Sequence, residues 1–193
     1  MKKFFLILFS VSLVSFSFVG CSDSSTMNPV SSDNSVTNLI EKRPGNGQTI
    51  VGIAASDTNF TYLVAAVQFA GLVDVLNGNR QFTVFAPVNS AFEDLAVALN
   101  LPSVGDLLTE PYRELVTAVL LYHVSPGLKF SRNVVKSSRV NTLQGQFAFT
   151  QIENGMVKIG NDTNGYANIV AVDIRATNGV IHVLDKVIIP VLN

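Results

Sequence analysis

The sequence contains few of the residues from which covalent and metal-based sites are built. Its 193 residues include one cysteine, two histidines and no tryptophan. A single cysteine excludes an intramolecular disulfide and any cysteine-rich zinc or iron–sulfur site. Two histidines do not complete a tetrahedral zinc site by themselves, although a carboxylate could in principle complete one. We therefore expect the protein to have neither a metal nor a cofactor.

Charged residues are also scarce. Asp, Glu, Lys and Arg make up 14% of the chain, and the formal net charge is −1. Because binding to nucleic-acid phosphates requires an excess of Lys and Arg, we expect no nucleic-acid partner. The sequence also lacks the G-x-S-x-G elbow of serine hydrolases and the G-x-x-x-x-G-K phosphate loop. We therefore expect a protein that is not an enzyme.

Apolar residues, in contrast, are abundant, and much of the hydropathy lies at the amino terminus. They make up 48% of the chain, and the mean hydropathy is +0.37. Two lysines precede an apolar run over residues 4–19, which ends at small residues. This order is typical of a secretory signal peptide, and the run is shorter than the roughly 20 residues of a membrane-spanning helix. Residues 1–20 are therefore predicted to be a signal peptide.

The single cysteine, Cys21, directly follows this segment. Val19, Gly20 and Cys21 resemble the lipobox of bacterial lipoproteins, although Phe18 stands where that motif usually has Leu. The resemblance implies cleavage before Cys21, lipidation of its sulfur, and stable attachment to a membrane through acyl chains. It places the protein outside the inner membrane, at the outer membrane or the cell surface. An ordinary secreted protein with a stray cysteine is the alternative.

The remainder of the chain divides into a tether and one domain. Residues 21–47 are rich in Ser, Asn, Thr and Pro, so they bury too little apolar surface to offset the entropy of ordering. Residues 48–193 contain apolar residues at helical spacing in their first half and short β-branched runs between Asn-Gly pairs in their second half. Helices followed by an antiparallel sheet predict a single α+β domain. Strands are predicted over residues 81–86, 146–152, 156–159, 168–175 and 180–189, and an apolar helix over 112–122.

Several residues of this domain have predicted structural roles. Pro87 ends the first strand because it lacks an N–H donor, and Asn89 or Ser90 caps the helix that follows. Asn178 and Gly179 form a turn because both residue types accept a positive φ. The turn brings the last strand back against its neighbour.

The two histidines lie in apolar surroundings. His123 ends the apolar helix, and His182 lies within a strand that is apolar on both faces and is therefore expected to be central. We expect each ring to make a structural hydrogen bond rather than to take part in chemistry.

Three segments together resemble the conserved blocks of fasciclin-like domains. They are residues 82–92, which read FTVFAPVNSAF, the pair Tyr122 and His123, and residues 178–190, which read NGVIHVLDKVIIP. Their order and spacing match that family over residues 48–193, although Val88 stands where the family commonly has Thr. The resemblance implies a wedge or sandwich of antiparallel strands with helices packed on one side. It also implies an extracellular adhesion or interaction module.

The same resemblance suggests candidate interaction residues. Asp173 and Ile174 align with the stretch where animal members carry an Asp-Ile integrin-recognition motif, and Tyr122 and His123 align with a second adhesion element. The residues that flank the animal Asp-Ile pair are not kept here. The structural alternative is a strand with Ile174 pointing inward and Asp173 pointing outward or forming a salt bridge.

Two functions follow from these observations. The first is a lipid-anchored module for cell adhesion or matrix interaction at the cell envelope, attached to the membrane through acylated Cys21. Its partner would be an extracellular protein or polysaccharide, and the sequence does not determine the oligomeric state. The alternative is an envelope protein that binds a small molecule or polysaccharide in a pocket beside Tyr122 and His123. A polar pocket there would favour the alternative, and a closed core would favour adhesion.

Overall fold

A computed structural model describes residues 47–192. The predicted signal peptide, Cys21 and all but the last residue of the predicted tether lie outside the described residues. Seven α-helices lie within the described part, at Ile50–Ser56 (α1), Thr61–Phe69 (α2), Val73–Asn77 (α3), Asn89–Ala98 (α4), Val104–Leu107 (α5), Arg113–Tyr122 (α6) and Ser131–Lys136 (α7). Its seven strands are Phe82–Pro87 (β1), Val124–Pro126 (β2), Arg139–Asn141 (β3), Phe147–Glu153 (β4), Met156–Asn161 (β5), Gly165–Ala176 (β6) and Gly179–Leu184 (β7).

The strands form a seven-stranded sheet in the order β2-β1-β7-β6-β5-β4-β3. The predicted α+β class is confirmed, but the sheet is mixed rather than wholly antiparallel, because β1 and β7 pair in parallel. These two strands are far apart in sequence, so the hydrophobic pattern of each does not report their relative direction. Near the two sheet edges, Leu143 donates its N–H to the carbonyl O of Val124 at 2.8 Å. This contact brings the region after β3 close to β2 and gives the sheet a nearly closed, wedge-like form.

Two groups of buried side chains fill the domain on either side of its central strands. The larger group joins α1, α2, α4 and α6 to β1 and β7. The smaller group lies between α7 and strands β3–β6 and includes Tyr122 and Phe85. Every residue of β1 and β7 is buried, which is the environment expected for strands that are apolar on both faces.

The last strand is shorter than predicted. The sequence predicts a strand over residues 180–189, but β7 ends at Leu184. The carboxylate of Asp185 accepts the backbone N–H of Asn168 at 2.8 Å, where a ladder bond would otherwise continue. Farther along, Asn161 donates its side-chain N–H to the carbonyl O of Ile189 at 2.7 Å. After one last backbone bond, from the Asp185 N–H to the carbonyl O of Asn168 at 3.2 Å, side chains hold this segment in place of a strand partner.

Within residues 47–192, no single helix is long and apolar enough to span a membrane. The helices at residues 50–56 and 58–69 meet the length and composition requirement only as a pair, and they are bent by 106° at the break between them. Their buried residues, among them Ile53, Leu63 and Val67, pack into the larger core.

Candidate interaction site around Asp173

Asp173 lies at an irregular point of β6. The pairing of β6 with β7 shifts its register between Ala171 and Ile174, and Asp173 between them has a positive φ of 61°. This backbone conformation is uncommon for residues other than Gly, and Asp and Asn tolerate it best. The shift turns the Asp173 side chain towards the start of α7.

The Asp173 carboxylate accepts two hydrogen bonds from Ser131, the first residue of α7. The backbone N–H of Ser131 donates at 2.7 Å and its Oγ donates at 2.6 Å. Burial alone would raise the pKa of Asp173, but the two hydrogen bonds from Ser131, together with the nearby His182 and Arg175, outweigh it and lower the pKa below its ordinary value. Asp173 is therefore charged at neutral pH. It caps the amino terminus of α7, where the preceding residue, Phe130, provides no side-chain cap.

Ile174 points to the other side of the strand. It pairs with Ile181 of β7 and packs against the larger hydrophobic core. Asp173 and Ile174 therefore do not form one continuous surface. Ile174 points inward, as in the structural alternative stated for this pair, whereas Asp173 is hydrogen-bonded to Ser131 rather than held by a salt bridge. Of the two, only Asp173 is available at the candidate site.

A polar cavity of about 300 Å³ opens beside Asp173. It is lined by Phe130, Ser131, Arg132, Asn133, Asp173 and Arg175. The guanidinium carbon of Arg175 lies 5.1 Å from the centre of the Phe130 ring, a cation–π distance. We call this the Asp173 cavity.

His182 lies behind the Asp173 cavity and joins its two sides. Its ring is fully buried and stacks on Phe85 with the ring centres 5.5 Å apart. Nε2 lies 2.7 Å from the carbonyl O of Lys129, and Nδ1 accepts the backbone N–H of Asp173 at 3.4 Å. Burial lowers the pKa of His182, against the Lys129 hydrogen bond and the Asp173 charge, which raise it. The neutral ring thus links the segment before α7 to the bulge in β6.

Tyr122 is not part of an interaction surface in this structure, which corrects the prediction for this residue. Its side chain is fully buried. The hydroxyl donates to the carbonyl O of Phe147 at 3.0 Å and accepts a hydrogen bond from the side chain of Asn161 at 3.2 Å. The α6 helix ends inside the fold, so the residue at its last position points into the core.

His123 is also buried, with 2% of its surface exposed. Nδ1 lies 2.7 Å from the carbonyl O of Val119, and Nε2 accepts the backbone N–H of Ile188 at 3.1 Å. The cavity that His123 touches is only about 30 Å³ in volume, and its other lining residues are apolar. The polar pocket beside Tyr122 and His123 that would favour the alternative function is therefore not formed at this position.

Comparison with known proteins agrees with this architecture. The sequence model of the fasciclin domain matches residues 58–190. The chain belongs to the fasciclin domain family. It is 40% identical over 142 residues to protein sll1483 of Synechocystis sp., covering 74% of this chain and 73% of that protein.

Other relatives of this fasciclin domain are more distant. The immunogenic protein MPB70 of Mycobacterium bovis is 33% identical, over 76% of this chain and 72% of that protein. The transforming growth factor-beta-induced protein ig-h3 of Sus scrofa is also 33% identical, but the match spans only 20% of that protein. Among solved structures, the FAS1 domain pair of the insect cell adhesion molecule fasciclin I matches with a TM-score of 0.62 and 24% identity, over 76% of this chain and 51% of that one.

The first fasciclin block has a different capping arrangement from the one predicted. Helix α4 begins at Asn89 itself, and no side chain caps it. The Asn89 side chain instead crosses to α2, where its Oδ1 accepts the backbone N–H of Tyr62 at 3.2 Å, and its Nδ2 donates to the carbonyl O of Thr58 at 2.9 Å. Asn89 therefore caps a neighbouring helix, while β1 ends at Pro87 as the sequence predicts.

In the last fasciclin block, residues 178–190, the turn requires glycine because a side chain would not fit there, and not because the backbone has a positive φ. Neither Asn178 nor Gly179 has a positive φ, which corrects the reason given for this pair. The Asn178 side chain accepts the N–H of Ile50 at 2.9 Å and donates to the carbonyl O of Leu76, so it joins α1 to α3. A Cβ on Gly179 would lie 2.2 Å from the carbonyl O of Phe82. Only glycine lets β1 approach this closely.

Five of the six residues that line the Asp173 cavity are not predicted from the sequence: Arg175 of β6 and four residues at the start of α7. Phe130, Ser131, Arg132 and Asn133 lie at the start of α7, a helix of six residues. One and a half turns carry too short an apolar pattern to be recognised, and a serine before a short polar run was the only available signal.

Proposed function

We propose that the chain is a lipid-anchored fasciclin module that mediates cell adhesion or matrix interaction at the cell envelope. The adhesive role is supported by membership of the fasciclin family, because one of the matching solved structures is a domain pair of an insect cell adhesion molecule, fasciclin I. The anchor is supported by the lipobox-like order of Val19, Gly20 and Cys21 after an apolar segment.

One structural observation carries the choice of adhesion over ligand binding beside Tyr122. Tyr122 and His123 are buried, and their polar atoms are hydrogen-bonded within the domain. A contact with a partner must therefore use the outside of the domain. The charged Asp173 beside an open polar cavity is the candidate position.

The anchor is tested on the full chain, expressed in a bacterium that processes lipoproteins. We expect the protein in the membrane fraction, with an acylated amino terminus detected by mass spectrometry. Cys21→Ser should move the folded domain to the soluble or secreted fraction. A free Cys21 thiol on the mature protein, or an unchanged membrane fraction for Cys21→Ser, would contradict the anchor.

Adhesion is tested by comparing cells that carry the full chain with cells that lack it. We expect faster cell aggregation, or stronger attachment to an immobilised matrix, when the protein is present. Asp173→Asn should weaken the effect, whereas Asp94→Asn, an exposed carboxylate on α4, serves as the matched control. Equal aggregation and attachment with and without the protein would refute the adhesive role.

A further inference from the structure

We infer that the Asp173 cavity binds an acidic sugar, such as a uronic acid residue of an extracellular polysaccharide. This inference rests on the proposed interaction role of the site and names the class of ligand. It follows from four features of the cavity: its unused donors, its organised acceptor, its size and its rigid walls.

The unused donors are the side chains of Arg132, Asn133 and Arg175. Within residues 47–192 none of the three makes a side-chain hydrogen bond or an ion pair, although Arg175 stacks on Phe130. A guanidinium presents paired N–H donors that match a carboxylate, so the two arginines supply the recognition of an anion. Two positive charges beside the single negative charge of Asp173 leave the cavity with a net attraction for an anionic group.

The organised acceptor of the cavity is the carboxylate of Asp173, which Ser131 holds in a fixed orientation. Each of its oxygens already accepts one hydrogen bond from Ser131, and each retains a second lone pair. A sugar brings hydroxyl donors for these lone pairs together with a carboxylate for the arginines. An acidic peptide side chain brings only acceptors, so it supplies no donor for these lone pairs. This combination of donors and acceptors favours the acidic sugar over the acidic peptide.

The size and rigidity of the cavity fit the same ligand. Its volume of about 300 Å³ lies at the lower end of the range for small-molecule sites, which suits one or two sugar rings. Asp173 and the backbone of both walls are fixed in advance, since Ser131 is bonded to Asp173 and His182 links Lys129 to Asp173. A pre-formed site loses less entropy on binding.

The test measures binding of oligogalacturonate to the full chain by titration calorimetry. The matched neutral ligand is the methyl-esterified oligogalacturonate, which differs only in the masked carboxylates. We expect the ester to bind at least tenfold more weakly. The double variant Arg132→Gln and Arg175→Gln should lose affinity by at least tenfold, whereas Arg80→Gln, which changes an exposed arginine outside the cavity, should bind as the wild type does. Equal binding of the two ligands, or of the double variant and the wild type, would overturn the inference.

Two further measurements separate the sugar from other anions. Asp173→Asn removes a strong acceptor while it keeps a residue that tolerates the positive φ, so it should weaken oligogalacturonate binding. Stronger binding in this variant would show that Asp173 only repels the anion. Polyglutamate binding as tight as oligogalacturonate would replace the sugar with an acidic peptide. Thermal unfolding of each variant checks that the domain is folded.

Measurements of sugar binding and of cell adhesion distinguish the proposed ligand from the proposed adhesive role. Loss of oligogalacturonate binding in the double variant, with adhesion of the cells unchanged, would leave the module adhesive through another surface. No oligogalacturonate binding by a protein that does promote adhesion would overturn only the ligand class. Specific sugar binding by a protein that does not change cell adhesion would instead refute the adhesive role.

Discussion

Ile188 donates its backbone N–H to Nε2 of His123, with the two nitrogens 3.1 Å apart. On the other side of the ring, Nδ1 lies 2.7 Å from the carbonyl O of Val119. These contacts assign the neutral tautomer with its proton on Nδ1, because Nε2 must accept. Burial lowers the pKa of His123 to about 4, against the Val119 hydrogen bond, which raises it. His123 thus joins the end of α6 to the segment after β7.

This geometry predicts that the domain loses stability in mild acid. The pKa of His123 is lower in the folded state than its ordinary value of 6.5, so the unfolded chain binds more protons as the pH falls below that value. His123 alone should reduce the free energy of unfolding by about 2 kcal/mol between pH 7 and pH 5. The lowered pKa of His182 acts in the same direction. Urea unfolding at the two pH values measures the change.

The control for the acid effect is His123→Gln. This variant should be less stable than the wild type at pH 7, since the ring contacts are lost, but its stability should fall less between pH 7 and pH 5. A pH dependence in His123→Gln as steep as that of the wild type would show that His123 is not the source.

A second prediction concerns the cross-strand pair formed by Thr83 of β1 and Ser125 of β2. Both side chains are fully buried, but Thr83 donates to the carbonyl O of Gly127 at 2.7 Å and accepts from the N–H of Lys129 at 2.8 Å. The Ser125 hydroxyl has no partner in the described part of the chain. Thr83→Val should therefore cost roughly 1–3 kcal/mol of unfolding free energy, whereas Ser125→Ala should be neutral or stabilising. Thermal and urea unfolding compare the two, and a larger loss for Ser125→Ala would contradict the assignment.

A third prediction concerns Gly179. A Cβ at this position would lie 2.2 Å from the carbonyl O of Phe82 and 2.5 Å from Cδ1 of Ile50. Because the nearest atom belongs to the backbone of a buried strand, Gly179→Ala should destabilise the domain by about 3 kcal/mol. Gly78→Ala is the matched control, since the nearest atoms to its Cβ are 3.5 Å away. Equal unfolding midpoints for the two alanine variants would disprove the close approach.

A fourth prediction concerns the cap that Asn89 provides to another helix. Asn89→Ala removes the acceptor for the Tyr62 N–H at the start of α2, and loss of such a cap costs about 1 kcal/mol. Ser90 is exposed and makes no side-chain hydrogen bond within residues 47–192, so Ser90→Ala should change the stability little. Hydrogen exchange should locate the loss at the first turn of α2, and faster exchange at α4 alone would instead assign Asn89 as the cap of α4.

The features that sequence analysis predicted correctly depend on neighbouring residues. Asn154 and Gly155 both have a positive φ, 53° and 77°, and join β4 to β5 as predicted. Asn and Gly adopt a positive φ at a lower cost than other residues, so the sequence of the pair favours a tight turn between two strands. The preference is not decisive by itself, because Asn178 and Gly179 form a turn without a positive φ. The capping prediction for Asn89 failed for the opposite reason, since its acceptor serves a helix that begins 28 residues earlier.

The Asp173 cavity also combines a residue that the sequence could indicate with residues that it could not. Asp173 could be selected from its sequence context, but its partner Ser131 lies 42 residues away, and no local pattern connects them. Their contact also requires the bulge in β6, which arises from the pairing with β7.

The sequence by itself determined the family, the α+β class and the position of the hairpins, because residue preferences and hydrophobic periodicity act over a few neighbouring positions. It also contains the signal-like segment and Cys21, on which the proposed anchor depends. Only the tertiary structure decided that β1 and β7 run in parallel, that Tyr122 and His123 are buried, and that Arg132 and Arg175 line one cavity with Asp173. These outcomes depend on which distant segments pack together, and that packing is determined by the contacts of the whole domain rather than by any local pattern.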